Sequence, residues 1–436
     1  MLTGVLIKNY KSIEDSGLIE LKPLTIFTGP NSSGKSNILE SLAILAQTTR
    51  LGRERQHTLT ASLEAGEFVR YPHPCLEYVT YKKDVDRCVL FEVYISTAKA
   101  TISQGAVGYG HSYRPSTGEA TSYIIDQEVK LFEVAYEKTG ESTYKKQVKI
   151  PERFKGYDVK GSPICLFDPE SFSIIIPTSE IRETDGDISE NAGLLIRNIA
   201  NCLRQAYFIT ALRGGIEAQV RIGSHLPSGV GSETPSWVGT RGEHLVEILA
   251  LCFGKREYSL KAEKIDEWSE RLGVGKISAG WVGGNRLGVD FEDPILKTSL
   301  NLVLASSGSR QILSMITQLF WSEPGDVIMI EEPEISLHPQ SQVLVQDLFA
   351  TAVKDGKQII CSTHSPFLIL ALSKVIKSGK LSQNDVAVYH VEKGKSGTKV
   401  KRLELNEHGF VTGYIPSYLK VEDDLFDEWA RSLEKE

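Results

Sequence analysis

The chain has 436 residues, 41% hydrophobic and 24% charged, which is too apolar for a disordered chain and ordinary for a globular one. Its 49 Lys and Arg against 56 Asp and Glu leave a formal charge of −7, which excludes a surface coated throughout in positive charge and leaves room for a local basic groove. No apolar run nears the length of about 18 residues that spans a bilayer, and residues 1–8 lack a signal peptide's apolar core, so a cytoplasmic, non-membrane protein of two or three domain-sized units is expected.

In chain order, Leu2, Val5 and Ile7 alternate with polar neighbours, and a second short apolar run at 24–28 leads into a glycine-rich loop. Residues 37–46 carry apolar side chains at helical spacing. From about 75 to 180 the pattern turns β-rich, with runs at 89–95, 123–125 and 174–176 separated by Gly, Ser, Thr and Pro clusters. Helices are expected at 191–207 and 244–253, and a Gly/Ser/Pro-rich loop at 223–242, a length usually reserved for functional segments. Beyond Leu296, helical segments alternate with all-apolar runs at 327–330, 358–361 and 386–389, the mark of buried parallel strands. A strand pair at 386–389 and 400–405 and a helix from Asp423 follow. Leu425, Trp429 and Leu433 give that acidic last segment an apolar face suited to docking on its own domain in preference to a partner protein. The six cysteines, at 75, 88, 165, 202, 252 and 361, contain no Cys-x-x-Cys pair and are expected to be reduced, mostly buried thiols. Cys361 and His364 have ligand-like spacing, but two residues do not make a tetrahedral site. Internal repeats, sustained heptads and low-complexity tracts are absent from the sequence.

Four motifs carry chemistry. Gly29-Pro30-Asn31-Ser32-Ser33-Gly34-Lys35-Ser36 fits G-x-x-x-x-G-K-[ST], a loop whose backbone N–H groups turn onto phosphate oxygens at a helix N-terminus. Lys35 would reach the β- and γ-phosphates and the Ser36 hydroxyl would ligate Mg²⁺. The run at 327–330 ends in Glu331-Glu332-Pro333-Glu334, which delivers carboxylates to the carboxyl edge of a sheet. There Glu331 would hold Mg²⁺, usually through water, and Glu332 would orient the attacking water. The run at 358–363 ends at His364, which is placed to hydrogen-bond a γ-phosphate; a Ser–His–acid hydrolase is the competing idea, and no Gly-x-Ser-x-Gly elbow occurs. Ser306 and Gly308 open a helical segment at 312–319 and make a second anion-binding N-terminus. Because the phosphate loop already takes one nucleotide, this second site must serve another molecule's, which points to a dimer.

A phosphate loop, a Ser-x-Gly signature, an apolar strand with two acids and a histidine switch, in this order, resemble an ABC-type ATPase head. More narrowly they resemble the RecF/SMC/OLD-like branch, through Ile7-Lys8-Asn9-Tyr10-Lys11-Ser12, the loop 29–37, Ile330–Glu334 with Leu337-His338-Pro339, and Ser362–Pro366. The resemblance implies an α/β P-loop NTPase head, with a mixed or parallel sheet flanked by helices, a β-rich insertion and no long coiled coil. It implies ATP and Mg²⁺ as ligands, with Asn31, Ser32, Ser33, Gly34, Lys35, Ser36 and Asn37 on the nucleotide and Ser36 and Glu331 on the metal. Glu332 and His364 would be catalytic, and Ser306 and Gly308 would contact the γ-phosphate in a partner head, two heads sandwiching two nucleotides. Ser307 and Ser309 stand where many relatives carry Gly and Gln, and the Mg²⁺-sensing Gln of relatives has no identifiable counterpart. Arg213 or Arg241 is expected near the nucleotide.

The expected organisation is 1–54 as the N-terminal part of the head, 55–200 as a β-rich insertion, 201–295 as a helical and loop segment of the head, 296–415 as the C-terminal part of the head, and 416–436 as a terminal helix. A transporter subunit places its signature far nearer the phosphate loop than Ser306 lies from Lys35, SMC arms need heptads, and the roughly seventy residues after His364 leave little room for a nuclease domain. The chain therefore resembles stand-alone ATPase subunits of bacterial anti-phage systems, which work with an effector such as a nuclease or toxin. The alternative is a RecF-like DNA-binding ATPase, from residues 144–160, with six basic and two acidic residues and interleaved aromatics. A solvated hairpin face explains the same run. A non-hydrolysing scaffold is disfavoured by the presence of Lys35, Ser36, Glu331, Glu332 and His364 together.

Overall fold

The computed structural model describes residues 1–48, 80–96, 106–117, 119–126, 129–138, 144–149, 198–199, 201–215, 220–221, 235–283 and 286–412. The expected strand at 174–176, the acidic terminal helix, Cys75, Cys165 and residues 150–160 of the basic run lie outside them. The chain opens with β1 (Leu2–Tyr10), β2 (Ile13–Glu20) and β3 (Leu24–Thr28), then α1 (Lys35–Thr48). Strands β4 (Val89–Ser96), β5 (Ala106–Arg114), β6 (Glu119–Asp126), β7 (Val129–Lys138) and β8 (Tyr144–Lys149) come next. After β9 (Ala206–Ile209) and β10 (Val220–Arg221) the chain forms α2 (Leu245–Gly254), α3 (Ser259–Arg271), β11 (Lys276–Gly283), β12 (Arg286–Glu292) and β13 (Ser299–Asn301). The last part runs α4 (Ser307–Trp321), β14 (Val327–Glu331), α5 (Pro339–Lys354), β15 (Gln358–Thr363), α6 (Pro366–Leu370), α7 (Leu372–Lys377), β16 (Val386–Gly394) and β17 (Gly397–Leu403).

The central sheet has the order β17-β16-β3-β15-β14-β9, parallel from β16 to β9, with β17 antiparallel at the edge. Its inner strands read as unbroken apolar runs because both faces are covered. Ile328 and Ile330 of β14 point into one core with α4 and α5, while Val327 and Met329 point into the other with α1. Glu331 sits opposite Ser362 and Thr28 opposite Thr363, so β3, β14 and β15 end level. Their exits, at 29, 332 and 364, therefore share one edge.

The second sheet is an antiparallel meander, β2-β1-β4-β5-β6-β7-β8. The β-rich segment is thus continuous with the N-terminal hairpin, and α1 packs against β1 and β4 on one side and β9, β14 and β15 on the other. In the third sheet β12 pairs with β10, β11 and β13, with α2 lying on β11 and β12 and α3 on β11.

Two sequence expectations change. Ala206 and Tyr207, placed in a helix by their spacing, are the start of β9, whose four residues are all buried beside Val327–Ile330. A four-residue apolar run that follows a helix carries no period of its own. The stretch 201–295, expected as helix and loop, also contains β11 and β12; their alternation is interrupted by Gly280, Gly283 and Gly288. The strand pair near the C-terminus is observed, longer than expected, as β16 and β17. Among the described residues no helix is long and apolar enough to cross a membrane.

Candidate active site

The loop between β3 and α1 is shaped by crowding as much as by its own torsions. Gly29 has φ +149° and a Cβ there would overlap the Val391 carbonyl oxygen; Gly34 has φ +110° and a Cβ there would overlap the Thr398 hydroxyl. Both positions therefore demand glycine on two counts. A chain of hydrogen bonds holds the loop from outside. Asn37 Nδ2 donates to Ser12 Oγ at 2.7 Å, Ser12 Oγ lies 2.7 Å from Thr398 Oγ1, and Thr398 Oγ1 donates to the Ser33 carbonyl at 2.7 Å. Since Thr398 spends its proton on Ser33, Ser12 is the donor in the middle link. Lys11 forms an ion pair with Glu40 of α1. The β1–β2 turn and the β16–β17 hairpin thus brace the loop from two sides.

Lys35 opens α1, is 5% exposed, and folds back so that Nζ donates to the carbonyls of Gly29 at 2.9 Å and Pro30 at 2.8 Å. Burial pushes its ammonium down to about 8, against the pull of Glu332 and Glu334. A cation stripped of water and held on two carbonyls is primed for a stronger anionic partner, which phosphate oxygens would supply.

At the end of β14, one strand removed from β3, Glu332 takes a left-handed φ of 43° and its N–H donates to the Ser362 carbonyl at 2.8 Å. This kink turns the chain out of β14 immediately after Glu331. His364 Nε2 lies 3.8 Å from Glu332 Oε1. Burial lowers the His364 pKa, Lys35 adds to that, and Glu332 and a hydrogen bond to the Gly29 backbone oppose it. Glu334, 8% exposed, accepts a hydrogen bond from the His364 N–H at 2.6 Å. Burial raises its pKa, and that hydrogen bond counteracts the rise. Glu334 therefore ties the acidic turn to the histidine turn.

A cavity of about 820 Å³ is lined by residues 31–37 together with Glu332 and His364. Lys11, Ser12, Thr80, Lys82, Lys83 and Lys393 complete its wall. The structure so brings together Asn31, Ser32, Ser33, Gly34, Lys35, Ser36, Asn37, Glu332 and His364, which the motifs had paired across some three hundred residues. Glu331, Ser306 and Gly308 do not line it. Glu331 Oε2 accepts from the Ala211 N–H at 3.3 Å. Ser306 is the N-cap of α4, its hydroxyl accepting from the Ser309 N–H at 3.1 Å. Gly308 is pressed against the Ser336 carbonyl, in the turn that follows the acidic pair. The signature residues therefore lie outside the cavity wall, with Gly308 beside the turn that follows the acidic pair. Arg213 and Arg241, expected near the nucleotide, do not line the cavity either: Arg241 is exposed, and Arg213 is buried behind the acidic pair.

Ser36 offers a hard hydroxyl oxygen inside the cavity, the kind of donor Mg²⁺ takes, and Glu331 a carboxylate at the end of β14, outside the cavity wall. Among the described residues no three His, Cys, Asp or Glu gather as a ligand cluster. Mg²⁺ characteristically relies on nucleotide phosphates and water for most of its octahedral shell, so few protein ligands are needed. Cys88, Cys202, Cys252 and Cys361 are free thiols, with Cys361 buried in β15.

Sequence reasoning missed Glu334 as the link between turns, the Ser12–Thr398 brace, and Lys82, Lys83 and Lys393 on the cavity wall. Glu334 carried a signal, two residues beyond the acid pair; Thr398 and Lys393 carried none, because a hairpin's position against a distant loop is not written locally.

No curated protein sequence matches the chain. Solved structures that resemble it include an SMC head bound to the C-winged helix domain of ScpA, at 12% identity and TM-score 0.48 over 93% of this chain and 98% of that one. Others are an SMC head domain from Thermotoga maritima, at 13% identity and TM-score 0.43 over 93% of this chain and 99% of that one. An SMC head domain from Pyrococcus furiosus with an extended coiled coil, bound to the C-terminal domain of ScpA, has 12% identity and TM-score 0.44 over 98% of this chain and 99% of that one. The profile of the AAA ATPase domain matches residues 1–155 and 253–369, a span that takes in the phosphate loop, Ser306, the acidic pair and His364. The chain thus belongs to the AAA ATPase domain family and is a nucleotide-binding α/β P-loop ATPase.

Proposed function

We propose that this chain is a Mg²⁺-dependent ATPase that closes into a dimer on ATP and uses that change to control an effector protein. The observation that carries the reading is the cavity in which the phosphate loop 31–37 meets Glu332 and His364, with Ser306 and Gly308 outside its lining. A nucleotide in the cavity would lie along the loop, its β- and γ-phosphates on the backbone N–H groups and Lys35. Mg²⁺, held by Ser36 and through water by Glu331, would neutralise charge on those phosphates. Glu332 would orient and deprotonate the attacking water, and His364 would donate to the γ-phosphate. Ser306 and Gly308 would cap the nucleotide of a second copy. The head would comprise 1–54, 201–295 and 296–415, with 55–200 as a β-rich insertion between its parts. The effector, a nuclease or toxin, and a role in antiviral defence rest on the resemblance to stand-alone defence ATPases.

Light scattering with ATP and Mg²⁺ tests the central claim. Lys35→Ala should lose nucleotide binding; Glu332→Gln should bind ATP and accumulate as a dimer; Ser306→Arg should bind ATP and stay monomeric. A Glu332→Gln protein that hydrolyses ATP at the wild-type rate sinks the role given to that residue. Phage plating on cells carrying the wild-type or the Lys35→Ala gene in its native locus tests the defence role, with equal plating counting against it.

A further inference from the structure

The deepest cation near the acidic pair is one that the hydrolytic scheme does not use. Arg213 stands four residues beyond β9, is 3% exposed, and aims its guanidinium at backbone carbonyls. Nη1 donates to the Glu331 carbonyl at 2.6 Å and to that of Thr210 at 3.3 Å. Nη2 donates to the Glu332 carbonyl at 2.9 Å, and Nε to the Gln311 carbonyl of α4 at 3.3 Å. One planar fork therefore ties three segments together: the β9 exit, the acidic turn and the second turn of the helix that Ser306 caps. Its neighbour reinforces the tie. Gly214 has φ +92°, a Cβ there would stand 3.2 Å from Gln311, and its N–H donates to the Arg241 carbonyl at 2.9 Å.

We infer that Arg213 is a positioning residue for hydrolysis, which fixes the left-handed kink at Glu332 and makes the placement of that carboxylate depend on α4. The kink is the feature in need of support. A non-glycine residue at positive φ is strained and persists where surrounding bonds over-determine it. Glu332 has such bonds in the peptide groups on both sides of its Cα, the N–H to Ser362 and the carbonyl from Arg213. The positive charge also matters. Arg213 lies among Glu331, Glu332 and Glu334, whose mutual repulsion it offsets; burial lowers its pKa to about 10, so it stays charged at neutral pH. The guanidinium geometry is specific, since a lysine ammonium is a single point that cannot reach carbonyls on three segments at once. Because Gln311 lies five residues beyond Ser306 on one helix, any shift of α4 when Ser306 meets a ligand is felt at the same guanidinium.

The inference rests on Glu332 being the catalytic carboxylate, and the test separates the two. Steady-state ATP hydrolysis and binding of a non-hydrolysable ATP analogue are compared in wild type, Arg213→Gln, Arg213→Lys and Glu332→Gln, with thermal unfolding of each. Arg213→Gln should lose tenfold or more in kcat with KM and analogue affinity within threefold of wild type, and Arg213→Lys should recover part of the loss. Wild-type kcat in Arg213→Gln overturns the inference, as does a rise in KM at unchanged kcat, which would mean direct nucleotide contact. Parallel loss of analogue binding and kcat in a folded protein overturns it too, because that is the signature of general structural damage. If Arg213→Gln fails to fold, Arg213→Lys decides by the same split. Glu332→Gln retaining full hydrolysis refutes the catalytic assignment alone, whatever the arginine variants do.

Discussion

His364 Nε2 and Glu332 Oε1 stand 3.8 Å apart, at the ends of two adjacent parallel strands whose last pair is Glu331 and Ser362. The gap is too long for a direct hydrogen bond and the right size for each group to reach a shared phosphate oxygen or water. Glu332→Gln should therefore lower kcat by about a hundredfold or more while nucleotide binding persists. His364→Ala should lower it less, because it removes one donor and leaves the base in place. Single-turnover hydrolysis beside fluorescent-nucleotide binding checks both; loss of binding in either variant would assign these residues to the ground state instead.

The phosphate loop is held by contacts to the far end of the chain. A methyl group on Gly29 would press on the Val391 carbonyl, which belongs to a strand and cannot swing aside, whereas one on Gly34 would press on the Thr398 and Ser12 hydroxyls. Gly29→Ala should cost about 2–3 kcal/mol of stability and abolish nucleotide binding. Gly34→Ala should be partly rescued by Thr398→Ala, which clears space. Thermal unfolding and nucleotide titration of the two single variants and the Gly34→Ala/Thr398→Ala double variant read this out; no rescue in the double variant would show that backbone strain at φ +110° decides, not crowding.

That contrast also explains what the sequence could show. The phosphate loop, Glu332 and His364 were legible because buried parallel strands are contiguous apolar runs, and the residue after such a run must emerge at the sheet's carboxyl edge. Which edges coincide is set by register, here Thr28 with Thr363 and Glu331 with Ser362, and these strands all point the same way. Thr398 was not legible as part of the site, and Arg213 was legible only as an arginine near it and not in its role, since each acts through backbone carbonyls of segments remote in sequence. Any residue type can offer a carbonyl, so no pattern marks the acceptor. Ala206 and Tyr207 were misread because a buried strand of four residues spans little more than one helical turn, too short to show a period of its own.

Lys82 and Lys83 sit on the cavity wall with left-handed φ of 55° and 60°, in a single 3₁₀ turn after Thr80. Consecutive strained lysines facing a phosphate site point to electrostatic attraction of the ligand. Lys82→Gln and Lys83→Gln should each weaken ATP binding by about two- to fivefold at low salt, with the difference shrinking as ionic strength rises. Isothermal titration at low and high salt measures it. Equal losses at both would mean that the side chains make short, desolvated contacts and not a screened field.

His111 gives the β-rich meander a dependence on acid. It lies in β5 opposite Phe91, is 2% exposed, and burial pushes its ring down to about 3. An unfolded chain would protonate the same ring near 6.5. Between those values the unfolded state binds a proton that the native state refuses, so protons favour unfolding, and the stability present above pH 6.5 is lost as pH falls. At pH 5 the loss from this one group is about 2 kcal/mol. Carboxylates contribute to acid sensitivity in any variant, so the informative quantity is a difference. His111→Gln keeps a polar side chain that does not titrate, and its stability should change less than that of wild type between pH 7 and pH 5, by about the same 2 kcal/mol in urea unfolding followed by tyrosine fluorescence. The same pH dependence in both proteins would mean that the ring takes up its proton in the folded sheet, with a carboxylate moving to meet it.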